Sequence, residues 1–337
     1  AWKSVKYKFE ADFAGNEVTV KDAYMQFKTS FGNIAAGQFK TPNSLDEQTS
    51  SRHITFMERG SFTDAFSFAR QMGIMWSDAG KNWTAKVGVF KGAMGDDGQG
   101  NLTLAARTTY GNNFQGGKWI IGSSIRYRET DGQMRYRQRP HVHISDRFVN
   151  TGKVGNGKDL FFGLETGLQY GSFHAAAEYG SLRAKEAAVD GSSTRFSGGY
   201  AEIGYFLTGE TRTLKLEKGA WDRPKVNNPV HKGGMGALSI NARYDTLDLS
   251  DEDIFGGEQD TWILGANWYL NRHARIMFNY SHASIDNAFA VEANGIDGKN
   301  SVDALAARFQ VDWKKNPLSV SYTKLTPPQK RTRRTAG

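Results

Sequence analysis

Hydrophobic and polar residues alternate with a period of two along most of this chain, most clearly between Trp262 and His282. Trp262, Leu264, Ala266, Trp268 and Leu270 share one face of a first strand, and Ala274, Ile276, Phe278 and Tyr280 share one face of a second. Asn267, His273, Arg275, Asn279 and Ser281 take the opposite face, with a tight turn at Asn271-Arg272. A half-buried soluble sheet also alternates. Here, however, aromatic residues bound the apolar face near its ends, and the other face carries ions instead of a dry core. Apolar outside and polar inside is the pattern of a transmembrane β-barrel.

The same rule marks about fourteen segments, near residues 3–13, 17–29, 32–40, 68–77, 82–90, 101–110, 117–128, 160–170, 172–182, 194–207, 235–246, 259–270, 273–284 and 302–313. Their connections alternate between tight turns (Ser77 to Lys81, Tyr170-Gly171-Ser172, Asn271-Arg272) and long Gly-, Asp- or Ser-rich loops at 41–67, 91–100, 129–159, 183–193 and 285–301. Short periplasmic turns and longer outer loops are the habit of outer-membrane barrels. Segment 208–234 breaks it, being long yet on the short-turn side. The fold class expected is therefore all-β, a transmembrane antiparallel β-barrel over 1–313 in the bacterial outer membrane. The end of the barrel is expected at Arg308 to Trp313, and 314–337 reads as a basic, disordered tail.

Composition sharpens this only in part. Among 337 residues there are 38 glycines, 7 prolines and no cysteine, so disulfide and thiol chemistry are removed. No run of about 18 apolar residues exists, which excludes a transmembrane helix and not a barrel. No leader-like segment stands at Ala1, so either a leader has been removed or the N-terminus is truncated. The net charge of +8 is misleading, because seven of those charges belong to the acid-free stretch 314–337. A nucleic-acid arm is set aside there in favour of a solvated extension, and no nucleic-acid partner is expected. For the main domain, charge matters only through its placement.

Assigning the apolar parity to lipid gives the lumen the other parity. That face collects Lys6, Lys8, Lys28, Lys40, Lys86, Arg107, Lys118, Arg126, Arg128, Arg243, Arg275 and Arg308, mixed with Glu10, Asp12, Asp22, Glu165, Glu178, Glu202, Asp245 and Asp312. Arg126, Arg128, Arg135, Arg137 and Arg139 share one parity and would form a column along the pore wall if the strand stays regular. Guanidiniums can replace part of an oxyanion's hydration shell, and several in series pass an ion along without trapping it. Alternatively, the same arginines pair with wall carboxylates and stiffen an ordinary pore. Residues 41–67 form the second candidate: Ile54, Phe56, Met57, Phe62 and Phe66 need burial, each worth about 1.5–3 kcal/mol. Folding into the barrel would supply it and bring Arg52, Arg59 and Arg70 to a constriction; a cap over the mouth is the alternative. His141 and His143 lack any completing ligand, so a polar wall is expected and no metal or other cofactor. Nothing reads as a nucleophile turn or a phosphate-cradling loop, and an enzyme is not expected.

Val20-Lys-Asp-Ala-Tyr24, Thr49-Ser-Ser-Arg52 with Thr55-Phe-Met-Glu-Arg59, Phe206-Leu-Thr-Gly-Glu210, Ala242-Arg-Tyr244 and Asn267-Trp-Tyr-Leu-Asn271 stand in an order that resembles the phosphate-selective porin O and P family. Arg139-Pro140 with His143, then Thr151-Gly152, resembles a further phrase of it. The resemblance covers most of 1–313 and implies a sixteen-stranded, homotrimeric outer-membrane porin with an inward-folded loop, two strands more than this chain displays. It carries Arg52 and Arg59 onto the constriction-loop phrase and Arg139 onto its own phrase. Arg126, Arg128, Arg135 and Arg137 carry over only as a similar basic run. The function expected is passive, anion-preferring diffusion of phosphate, pyrophosphate or a related oxyanion, with outer-membrane lipid and lipopolysaccharide around the barrel. A general non-selective porin and a plugged structural or adhesive barrel are the alternatives.

Overall fold

The computed structural model describes residues 4–14, 18–94, 102–286, 299–312 and 321–325. Its long strands are β1 (Val5–Asp12), β2 (Thr19–Thr29), β3 (Gly32–Lys40), β4 (Arg70–Ala79), β5 (Trp83–Phe90), β6 (Leu102–Phe114) and β7 (Gly117–Glu129) in the first half. The second half holds β10 (Lys158–Tyr170), β11 (Phe173–Ala184), β12 (Thr194–Phe206), β15 (Ala237–Asp251), β16 (Ile254–Tyr269), β17 (Ala274–Asp286) and β18 (Asn300–Asp312). These fourteen correspond one to one with the alternating segments. Two small ribbons lie between them, β8 (Arg137–Gln138) with β9 (Val149–Asn150), and β13 (Thr213–Lys215) with β14 (Ala220–Asp222). Helices α1 (Leu45–Gln48) and α2 (Ser61–Ala65) are the only α-helices among the described residues.

A fifteenth strand, β19 (Ser321–Leu325), pairs antiparallel with Arg308–Asp312 of β18. It lies inside the stretch expected to be a disordered tail, and that expectation is corrected for these five residues: the free edge of β18 offers backbone partners that composition does not reveal. Trp313 and the remainder of 314–337 lie outside the described residues, as does the loop at 95–101.

Every long strand pairs antiparallel with its neighbour in chain order, giving one meander from β1 to β19. Side-chain contacts show that it curls. Lys86 Nζ on β5 donates to Gln48 Oε1 at 2.8 Å, while Asp312 on β18 meets Arg52 at 3.4 Å. A flat sheet would put β5 and β18, nine strands apart, about 43 Å from one another at about 4.8 Å per strand. Gln48 and Arg52 are at most about 14 Å apart along the chain. Only a sheet wrapped around residues 41–67 brings both walls to them.

Parity then separates the two faces. Trp262, Leu264, Phe278 and Tyr280 are 59, 56, 50 and 43% exposed, whereas Arg243, Asn267 and Arg275 are 1, 1 and 3% exposed. Apolar side chains on the outside and ionic ones on the inside suit a wall that meets lipid. The loop-bearing part of the interior is also dry: Phe62, Phe66, Phe68, Phe161, Tyr136, Phe196, Leu182 and Trp221 pack there as one cluster. The two-residue link at Glu252-Asp253 joins β15 to β16 as a long hairpin.

Candidate functional site

Three inward segments meet in the lumen. The first, residues 41–69, carries α1 and α2. Ser44 opens α1, its hydroxyl accepting the Glu47 amide at 3.1 Å, and the Leu45 and Asp46 amides donate to the Glu178 carboxylate of β11 at 2.8 and 2.7 Å. An N-terminal turn docked on a carboxylate satisfies amides that a helix cannot. Further along, Ser61 bonds Asp245 of β15 through its backbone amide and its hydroxyl. Glycines on the wall make room for the aromatic residues: a Cβ at Gly180 or Gly198 would lie 3.0 or 2.9 Å from Phe62. The wall strands β11, β12 and β15 thus supply this segment's partners.

The second segment, 130–157, carries the β8–β9 ribbon and packs Tyr136, Val149 and Val154 onto the same cluster. Gln138 Nε2 donates to Ser61 O at 3.1 Å, joining it to α2. The third, 207–236, enters from the short-turn end and explains the length that broke the alternation. Its Leu214, Leu216 and Trp221 are buried; the Trp221 amide donates to Thr49 Oγ1 at 3.3 Å, and His53 Nδ1 lies 3.4 Å from Asp222. Burial, followed by the charge of Arg223, pushes the His53 imidazole down to about 4. Sequence reasoning missed Arg212, Trp221, Asp222 and Arg223 as lumen residues. The burial argument made for 41–67 applies equally to Leu214, Leu216 and Trp221 and was the available signal.

The ten candidate arginines fall into three groups. Arg126, Arg243 and Arg275 point inward and are buried beneath the first segment. Arg243 bonds Glu202 at 2.5 Å and Asp46 at 3.2 Å, between the rings of Tyr200 and Phe56 at 4.2 and 4.9 Å. Arg275 donates to Ile54 O at 2.8 Å and to Gln310, and Arg126 donates to Phe66 O at 2.8 Å above the Phe68 ring. Arg128 is inward as well, bound to Asp159 at 2.5 Å. The carboxylate of Asp159 also accepts from Tyr136 and lies 3.5 Å from Arg126. These four fasten the inward segments to the wall instead of standing in water.

Arg52, Arg59 and Arg70 form the second group, partly solvated. Arg52 faces Asp312, which also binds Arg223. Arg59 bonds Glu47 at 3.1 Å beside Lys40 at 2.8 Å, and Arg70 bonds Asp22 at 2.7 Å beside Lys8. Between the first segment and β1–β5, the inward charges in contact include Lys8, Lys40, Arg59, Arg70 and Lys86, with Glu10, Asp22 and Glu47.

Arg135, Arg137 and Arg139 make the third group. The regular column ends at Glu129, because the backbone turns into the second segment and buries Met134, Tyr136 and Gln138 between the arginines. Arg135 Nε donates to Asn150 Oδ1 at 2.8 Å and Arg139 Nε to Ser145 O at 2.9 Å. Arg147 joins them: its guanidinium is lowered from its ordinary value by burial and then by the charges of Arg139, Arg137 and Arg135. Among the described residues none of these four forms an ion pair with a carboxylate. His141 lies 3.2 Å from Asp245, and His143 is exposed; both stand beside Glu58.

A family model described as phosphate-selective porin O and P matches residues 1–313. An uncharacterized protein of Caulobacter vibrioides is 33% identical over 325 residues, covering 92% of this chain and 65% of its own length, so the chain spans about two thirds of that relative. Porin O of Pseudomonas aeruginosa is 24% identical, covering 92% of this chain and 78% of its own. Among solved structures, OmpT of Vibrio cholerae (in-vitro folded) superposes with TM-score 0.53 at 13% identity over 91% of this chain and 85% of that one. An anion-selective porin from Comamonas acidovorans gives 0.50 at 12% identity, over 84% and 75%. At such identities the superpositions speak for the barrel fold alone.

Proposed function

Because this chain belongs to the phosphate-selective porin O and P family, we propose that its barrel gives small anions passive passage across the outer membrane, with phosphate or a related oxyanion preferred. One observation carries this reading: the second segment bears Arg135, Arg137, Arg139 and Arg147 without a carboxylate ion pair, and the inward cations between the first segment and β1–β5 outnumber the acids. Arginines that keep donors free raise the local anion concentration and exchange part of a phosphate's water shell for fixed N–H groups. Paired cations deeper down, such as Lys40 and Arg59 around Glu47, hold a passing anion only loosely, which favours transit over trapping. Assembly as a homotrimer within a lipid and lipopolysaccharide bilayer belongs to the same reading. In a planar bilayer, added orthophosphate should lower the chloride current of single channels saturably. A current indifferent to phosphate would remove the oxyanion preference.

A plugged barrel is the second reading, favoured by the bonds between Arg126, Arg243 and Arg275 and the first segment. Folded protein that never conducts would select it.

A further inference from the structure

The outward face of β7, β10, β11 and β12 changes character at its long-loop end. Tyr127, Leu160, Arg183 and Arg195 stand level with one another across these strands, because Tyr127 pairs with Leu160, Leu160 with Arg183, and Arg183 with Arg195. Leu160 is 39% exposed, and both arginines are exposed, so the row lies on the lipid side and not in the lumen. One step towards the membrane midplane the row becomes Ile125, Phe162, Ser181 and Ser197. One step outward, Lys158 pairs with Glu129, and the Lys185 ammonium sits 5.8 Å from the Tyr127 ring.

Two like charges directly opposite each other on one sheet face destabilise the pair. Here Arg183 and Arg195 have α-carbons about 4.5–5.5 Å apart, as in any antiparallel pair. Among the described residues neither guanidinium has a carboxylate at ion-pairing distance; the nearby Asp251 accepts only the Arg195 backbone amide, at 2.6 Å. Long loops mark the end of the barrel that faces outside the cell. At that height the neighbouring molecules are outer-leaflet lipids, whose charged groups lie where the apolar band stops.

We infer that Arg183 and Arg195 clamp a phosphate of an outer-leaflet phosphorylated glycolipid, whose acyl chains lie along Leu160, Phe162 and Tyr179. Two facing guanidiniums present forked donors to one tetrahedral anion, and the anion removes their mutual repulsion. The Ser181 and Ser197 hydroxyls stand directly below, at the level of the glycolipid's sugar and ester groups. Charge complementarity selects this occupant. A neutral lipid would leave both charges uncompensated, and a second copy of this chain docked here about a twofold axis would set the same two arginines against its own. The clamp is independent of what the lumen conducts.

The test uses the full chain in detergent with bisphosphorylated lipid A as the probe, and the same lipid stripped of both phosphates as its control, with binding read by native mass spectrometry. Wild type should retain the phosphorylated probe about tenfold better than the stripped one, and R183Q/R195Q should lose that preference. R183K/R195K, which keeps the charge and loses the fork, should fall between them and serves if the double glutamine variant folds poorly. R272Q, on an exposed arginine of the short-turn end, should bind as wild type does. Equal retention of both probes by wild type, or undiminished preference in R183Q/R195Q, would overturn the clamp. Dissociation of an oligomer in R183Q/R195Q would also overturn it, assigning the face to a contact between copies.

Discussion

Replacing Arg243 by glutamine should release residues 41–67 from the wall without unfolding the barrel. The Arg243 guanidinium is 1% exposed and joins Glu202 of β12 to Asp46 of α1 while its plane rests against Tyr200 and Phe56. Breaking a buried ion pair costs about 3–5 kcal/mol. Part of that is recovered: Glu202 keeps Arg212 at 2.8 Å and Thr55 at 2.9 Å, and Asp46 keeps the Gly60 amide at 3.0 Å. The net loss should be about 2–3 kcal/mol, raising the undocked fraction of the segment by roughly 30- to 150-fold. Trypsin reads that fraction, since Arg52 and Arg59 become cleavable only when the segment leaves the wall and cleavage follows the open population. Cutting at Arg52 and Arg59 should accelerate by that factor while the strand arginines stay protected. Cleavage within about threefold of wild type in folded R243Q would refute the reasoning, because the expected change is at least ten times larger.

Four further outcomes follow from the same contacts. D159N removes the shared partner of Arg126 and Arg128 and should destabilise the protein by about 3–5 kcal/mol, seen as a lowered midpoint in thermal unfolding. Phe62→Ala empties the space beside Gly180 and Gly198 and should cost about 3–5 kcal/mol in the same assay. R137Q/R139Q, in the second segment, should weaken orthophosphate block with little change in thermal stability, since neither side chain forms an ion pair. The His53 imidazole is held near 4 in the docked state against 6.5 in its ordinary state, so docking is fully stable above about pH 6.5 and loses up to roughly 3 kcal/mol as pH falls towards 4. Hydrogen exchange at the Trp221 amide should accelerate across that window in wild type and much less in H53Q.

The barrel wall was legible because a wall with lipid on one side and ions on the other imposes a period of two that nothing else disturbs. All fourteen alternating segments became strands, and Trp262, Leu264, Phe278 and Tyr280 point outward. The burial of Phe56, Phe62 and Phe66 was legible too, since no solvated loop could leave them exposed. What the arginines do was not. Parity places Arg126, Arg243 and Arg275 inside but says nothing about backbone carbonyls of a loop that arrives from elsewhere, such as Ile54 O and Phe66 O. The column from Arg126 to Arg139 failed for a related reason. Spacing by two continues through Arg135 and Arg137, while the strand ends at Glu129 and the backbone bends to bury Tyr136. Asp159, which holds both Arg126 and Arg128, had no marking that set it apart from other acids.

The zero-current potential of single channels in a potassium chloride gradient tests the central claim most directly. The account predicts a potential of the sign set by chloride crossing faster than potassium, and a shift towards zero when Arg137 and Arg139 are both replaced by glutamine. A potential of the opposite sign, with potassium crossing faster, would contradict it.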